Sequence, residues 1–262
     1  VHGHDSSAVS AEVYLATPFG FALLAYAIGV GLQRHRGRAW PWWRSALWVA
    51  GIAAAASGFV GPLAAASHGD FVAHTWAHLL VGMVAPVFLV LAAPVTLALR
   101  SLPLVPARRL SGMLRSIPAR ILTTPAVAAV LNVGGLWVLY TTPLFEAMQR
   151  SAWVHLFVMT HLLLAGYLFT VSLVPVDPAP HRAGYPMRAA VLVLVLAAHG
   201  ILTKVIYSDP PMGVRAADAE AGAMLMFTAG DLVDAVIVAV LCAQWYREAG
   251  RALRRSAAPR PA

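Results

Sequence analysis

The sequence predicts an all-α fold, a polytopic transmembrane helix bundle of seven spans with the N-terminus outside and the C-terminus cytoplasmic. Three observations predict it. Hydrophobic residues make up 60% of the chain and charged residues 11%, against roughly 25% charged in a soluble domain. Apolar windows of about 20 residues recur, the length needed to cross roughly 30 Å of hydrocarbon, and mean hydropathy is +0.71. The polar stretches between the windows are too short for a soluble domain. Residues 1–246 therefore read as a single seven-helix membrane domain opening with an outer tail, 1–12, and residues 247–262 as a basic cytoplasmic tail.

The first span, 13–33, is too long for a removable signal peptide, and an opening Val1 in place of Met is expected of a processed terminus. Gly and Ala in it and in the second span, 43–66, permit close helix packing. Trp40, Trp42 and Trp43 ahead of the second span read as interfacial anchors, as do Trp245 and Tyr246 at the end of the last. The third span, 74–99, follows Asp70 and opens on His74 and His78. The fourth, 122–141, carries Asn132; the fifth, 152–174, carries His155, Met159 and His161. His199 lies in the sixth, 188–207, and Asp231 and Asp234 in the seventh, 223–246.

Basic residues set the orientation. Arg34 to Arg44, Arg100 to Arg120, Arg182 with Arg188, and Arg247 to Arg260 all fall on one side of a seven-span chain. The other side keeps Arg150 and Arg215, with Lys204 near its edge. The net charge of +8 is thus a topology signal, and scattered juxtamembrane arginines do not describe a nucleic-acid site. Asp5, Glu12, Asp70, Glu146, Asp209, Asp218 and Glu220 lie outside. They either attract cations or simply occupy the side free of positive-inside selection. Cys242 is the one cysteine, so no disulfide forms within the chain and soft-metal chemistry on the outer side has to use His and Met.

Polar residues within the spans concentrate in the outer half. Asp70, His74 and His78 are four apart and share a helical face, and two imidazoles one turn apart make a metal-binding pair. His74, His78 and His155 fall within the first turns below the outer surface. His161 and Asn132 lie about 13 Å down, and His199 and Asp231 about 12 Å, at 1.5 Å per residue. Glu220, Met224, Phe227, Asp231 and Asp234 fall within about 40° of one line on the seventh span. Two carboxylates there require a partner, namely Lys204, a histidine or a metal ion, or one of them is protonated. His155 and Met159 share a face that His161 does not. Met83, Met148, Met212 and Met226 lie in or near the outer half, where methionine is usually packing filler, and a lone membrane histidine serves an interhelical hydrogen bond as readily as a ligand. His2 and His4 suit copper in an outer tail. No nucleotide loop, HExxH or nucleophile–base–acid pattern is present, so the chain is not read as an enzyme.

In order along the chain, His74-TWA-His78-LL leads to MVAPVFLVLAAPVTLALR, LYTTPLFEA at 139–147 precedes His155 and His161, and GYLF follows at 166–169. Then come DPAP at 177–180, His199, and Asp218 through AGAMLMF at 221–227. This series resembles the caa3-type cytochrome c oxidase assembly factor family, especially its actinobacterial members, over nearly the whole chain. Three positions depart from the family pattern. Tyr140, Thr141 and Thr142 stand where many members carry a histidine before the proline, Asp218-Ala219-Glu220 replaces an Asp-Gln, and Phe227 replaces a Trp.

The resemblance implies a multi-pass protein of the bacterial plasma membrane that helps mature the terminal oxidase by handling copper, as Cu(I), for its buried binuclear site. The expected partners are oxidase subunits, the lipid bilayer and a periplasmic copper chaperone, with no nucleic acid. The expected ligands are Asp70, His74, His78 and His155 in an outer layer and His161, His199 and Asp231 in a deeper one. A transmembrane haem protein is the alternative, although no helix repeats a histidine pair about 13–14 residues apart. A cation or proton transporter using Asp231, Asp234, His199 and Lys204 is another, without an evident inverted repeat. A retinal receptor is excluded because the seventh span has no lysine.

Overall fold

A computed structural model describes the backbone of residues 3–256 and the side chains of residues 12–255. His2, Arg260 and the side chains of His4 and Asp5 lie outside the described residues, and so does the expectation of copper in the outer tail. Among the described residues every regular element is helical. Long helices α1 (Gly3–His35) and α2 (Trp42–Ala56) are followed by the short α3 (Pro62–Ala66) and by α4 (Phe71–Leu91). Next come α5 (Pro94–Ser101), α6 (Leu104–Leu114), α7 (Ile117–Leu122), α8 (Pro125–Thr141) and α9 (Leu144–Arg150). Three long helices close the fold: α10 (Ala152–Leu173), α11 (Tyr185–Ser208) and α12 (Ala216–Ser256).

Among the described residues, α1, α4, α10, α11 and α12 are long and apolar enough to cross a membrane, and α8 with α9 makes a sixth candidate bent by 79°. The predicted second span is interrupted. α2 has 15 residues, about 22 Å of helix, less than a hydrocarbon core. The chain then turns at Gly61, whose φ of 84° suits a residue without Cβ, before Pro62 opens α3. The predicted third span starts at Phe71 and stops at Leu91. Asp70 caps its start by accepting from the backbone N–H groups of Val72 at 2.7 Å and Ala73 at 3.0 Å. Its end is forced by Ala93 in the left-handed conformation (φ 53°) ahead of Pro94, a residue that disfavours helix before it. The last helix, 41 residues or about 60 Å, runs past the predicted boundary at 246, so the basic segment is helical through Ser256.

α4 is the central helix: 67% of its spanning window is buried, against 11% for α1. α2, α10 and α12 pack around it, while α11 lies along α12. The arginine-rich segments meet at one end of the bundle. Arg36 donates to the carbonyls of Arg100 at 2.8 Å and Ser101 at 3.2 Å, and Arg182 lies 3.6 Å from Glu248. Trp40 is not an interfacial anchor. It is 7% exposed, and its indole N–H donates to the Tyr26 hydroxyl at 3.1 Å, which in turn donates to the Ala92 carbonyl. This chain of bonds fixes α1 to the break between α4 and α5. Trp42 and Trp43 remain exposed.

Candidate functional site

Two successive turns of α4 place His74 and His78 inward, at 0% and 1% exposure. His74 Nε2 lies 3.1 Å from the Tyr140 hydroxyl on α8, while its Nδ1 has no partner. Phe71 and Phe145 close around the same imidazole, with the Phe145 ring centroid 5.0 Å away. One turn deeper, neither ring nitrogen of His78 has a hydrogen-bond partner. Such a group is costly to leave unmatched away from water.

His78 opens onto a cavity of about 30 Å³, room for a single ion or a water. Its wall includes Gly82 and Met83 of α4, Asn132 of α8, Gly166 and Thr170 of α10, His199 of α11 and Asp234 of α12. Both α4 and α8 depart from α geometry where they meet the cavity, in π turns at Leu80–Val84 and Val130–Gly134, a distortion that recurs at functional sites. In α4 the sequence supplies a cause. Pro86 has no N–H, so the Gly82 carbonyl loses its α-helical donor. α10 then approaches through Gly166, where a Cβ would stand 2.2 Å from the Gly82 oxygen. In α8 the side chain of His161 donates from Nε2 to the Leu131 carbonyl at 3.0 Å.

The predicted residues separate into distinct places. His78 and His199 share the cavity, and His199, 5% exposed, has an Nε2 without a partner. His74 stands directly above, tied to Tyr140. His161 is committed to the α8 backbone and does not line the cavity. Asp70 leaves the histidine stripe, because its carboxylate turns back to cap α4. The stripe on the seventh span points mostly away from the bundle: Glu220, Met224, Phe227 and Asp231 are exposed, and Asp234 alone of the five is buried and lines the cavity. Helical periodicity gave these residues one azimuth, but the packing edge of α12 runs along its margin at Asp234. Lys204 faces a separate cleft with Met224 and Phe227, and among the described residues no ion pair joins it to either aspartate. Met83 reaches the cavity, whereas Met148, Met159 and Met226 are fully packed core.

Beyond the buried histidines lies an open vestibule of about 550 Å³ bordered by His68, Asp70, Glu146, Arg150, Met212, Arg215 and Asp218, with Phe71 and Phe145 at its floor. His155 lies apart from the cavity, its ring 4.4 Å from that of His68. Among the described residues no three His, Cys, Asp or Glu side chains converge as a ready metal cage. The geometry instead offers imidazoles in ones and twos. His68 and the role of Tyr140 are additions that only the structure makes. The one signal for His68 was its place in the loop just before Asp70.

The model of the cytochrome c oxidase caa3 assembly factor family matches residues 24–248. Uncharacterized proteins of Mycobacterium bovis and Mycobacterium tuberculosis are each 32% identical over 253 residues, covering 88% of this chain and 38% of the relative. An uncharacterized protein of Mycobacterium leprae is 30% identical over 248 residues, covering 86% of this chain and 37% of the relative. The chain thus spans less than two fifths of the length of these relatives. No solved structure matches it.

Proposed function

This chain belongs to the cytochrome c oxidase caa3 assembly factor family, and we propose that it is a non-catalytic membrane protein that carries Cu(I) as cargo in the outer half of its bundle and passes it to the oxidase. The observation that carries this reading is the pairing of His78, with two unpartnered buried nitrogens, and His199, with one, on a single small cavity. Imidazole suits copper, and thioether sulfur suits Cu(I); Met83 lines the same wall. A site with so few donors binds an exchangeable ion, which is what a carrier requires. Asp234 supplies a buried carboxylate close by, and Tyr140 holds the His74 ring in place above.

The reading includes seven spans in the plasma membrane, with the histidine-bearing end outside. Residues 42–66 run from the arginine-rich end, where Trp48 stacks on Tyr26, to the opposite end, where Gly61 and Ala64 border a groove with His68. Taken together, α2 and α3 make the seventh crossing. The partners in this reading are an oxidase subunit, a periplasmic copper donor and the surrounding lipid.

The test is anaerobic Cu(I) titration of the detergent-purified protein against a chromogenic chelator, alongside His78→Ala and His199→Ala. Each variant is expected to weaken binding at least tenfold, and the same variants expressed in cells should leave the oxidase short of copper. Copper binding that persists unchanged in both variants would remove the cavity as the carrier site.

A further inference from the structure

His78 and His199 are 1% and 5% exposed, and the vestibule side is closed to them by His74 and the rings around it. Phe71, Phe145 and Tyr140 surround His74 with ring centroids 5.0 to 6.0 Å from its own, so solvent reaches neither His74 nor His78. A second pair of imidazoles lies outside that closure. His68, exposed on the loop between α3 and α4, meets His155 from the first turns of α10, with ring centroids 4.4 Å apart and planes at 65°. His155 is 8% exposed, and its buried Nδ1 has no hydrogen-bond partner. Edge-on packing of two rings accounts for their contact and leaves that nitrogen unexplained.

The pair sits at the junction of two openings, one largely apolar and one lined by charges of both signs. His68 and His155 border an outer groove of about 480 Å³ together with Glu12. His68 also borders the vestibule with Asp70, Met212 and two ion pairs, Glu146 with Arg150 and Asp218 with Arg215. It is therefore shared by the two openings, and an ion released from it enters the vestibule directly above Phe71.

We propose that His68 and His155 form a two-imidazole docking site for Cu(I) at the outer mouth of the bundle, upstream of the buried His78 and His199. The site rests on the reading that copper is the cargo. The number of ligands selects the ion. Zn²⁺ in a structural site takes four ligands in a tetrahedron, and no third His, Cys, Asp or Glu converges here among the described residues. Cu(I) is content with two nitrogen donors in a near-linear arrangement. With the rings in edge contact at 4.4 Å there is no space for an ion between them, so binding requires the exposed His68 side chain to swing outward about χ1 while the buried His155 ring stays in place. The mobile ligand is then the one that faces the vestibule.

The experiment uses the full chain in detergent, loaded anaerobically with Cu(I) and read by chelator competition for stoichiometry and by X-ray absorption for coordination. The variants are His68→Ala/His155→Ala, His68→Met and His78→Ala/His199→Ala. The outer double variant is expected to bind one equivalent fewer than the parent while unfolding at the same temperature. His68→Met should restore that equivalent with a sulfur scatterer at the metal, which a purely packing role would not produce. The inner double variant should retain an ion with two nitrogen neighbours. Undiminished stoichiometry in the outer double variant, or no sulfur signal in His68→Met, would overturn the docking site while leaving the buried site standing. Loss confined to the outer variant, with full binding in the inner one, would uphold the docking site and sink the buried carrier site. A parent protein that binds no Cu(I) would overturn both.

Discussion

Tyr140 shows how one residue changes the chemistry of another that lies 66 positions away. Its hydroxyl is bonded to His74 Nε2 inside a shell of Phe71 and Phe145, so His74 has one nitrogen engaged where His78 has none. Tyr140→Phe removes the bond and leaves a buried imidazole unmatched, a loss of about 1–3 kcal/mol. The expected result is a lower thermal unfolding midpoint with Cu(I) stoichiometry intact. A variant that unfolds like the parent would show that the bond is replaced by water. His161→Ala is the complementary case. Its Nε2 already serves the Leu131 carbonyl, so stability should fall by about 1 kcal/mol or more while Cu(I) stoichiometry is unchanged. Loss of an equivalent of copper would return His161 to the ligand set.

At the scale of the helix, the π turns of α4 and α8 both border the cavity, through Gly82 and Met83 and through Asn132 and Val133. Pro86 frees the Gly82 carbonyl, and Gly166 lets α10 press against it. Gly166→Ala puts a Cβ 2.2 Å from that oxygen, a contact between two backbones that no side-chain rotation relieves. The expected cost is about 1–3 kcal/mol, read as a lowered unfolding midpoint in detergent, with reduced Cu(I) affinity because the cavity wall moves. Gly20→Ala in α1, where a Cβ meets nothing within 4 Å, is the control and should be neutral or slightly stabilising. Equal midpoints for the two variants would refute the close approach. On the opposite side of the bundle the Asp177 carboxylate accepts from the N–H groups of Val95 at 3.1 Å and Thr96 at 2.7 Å, holding the start of α5 after the break at Ala93. Asp177→Ala should therefore lower stability by about 1–2 kcal/mol, measured by the same thermal assay, and a null result would show that α5 is fixed by its other contacts.

Across the whole molecule, the two ends of the bundle differ in composition. Arg36 joins the end of α1 to α5, and Arg182 meets Glu248 of α12, whereas His68, His155, Glu12, Asp70, Glu146 and Asp218 border the vestibule and the groove beside it. Cysteine accessibility tests the orientation in a Cys242→Ala background. Gly69→Cys, beside the vestibule, should react with an impermeant maleimide in intact cells. Gly112→Cys, exposed on α6, should react only after permeabilisation. The reverse pattern, or labelling of both in intact cells, would overturn the proposed topology. The long α12 carries this polarity through the bundle, since it supplies Asp234 to the cavity and Glu248 to Arg182.

Composition and periodicity by themselves determined the helical class, the approximate place of the long apolar helices and the candidate histidines, because the low charge, the apolar windows and the i, i+4 spacing of His74 and His78 are properties of the local chain. The break of the second apolar segment was less legible, since hydropathy averages over Gly61 and Pro62 where backbone conformation does not. Tertiary structure decided which of the histidines meet. His78 and His199 are 121 positions apart and His68 and His155 are 87 apart, and nothing in a single sequence encodes such pairings. It also placed Asp234, and not Asp231, on the cavity wall, because a helical stripe defines a direction but only packing defines which edge of that stripe faces the cavity. His161 shows the same limit from the other side: its type suggested a ligand, and only the fold shows that its Nε2 meets the Leu131 carbonyl in the π turn of a neighbouring helix.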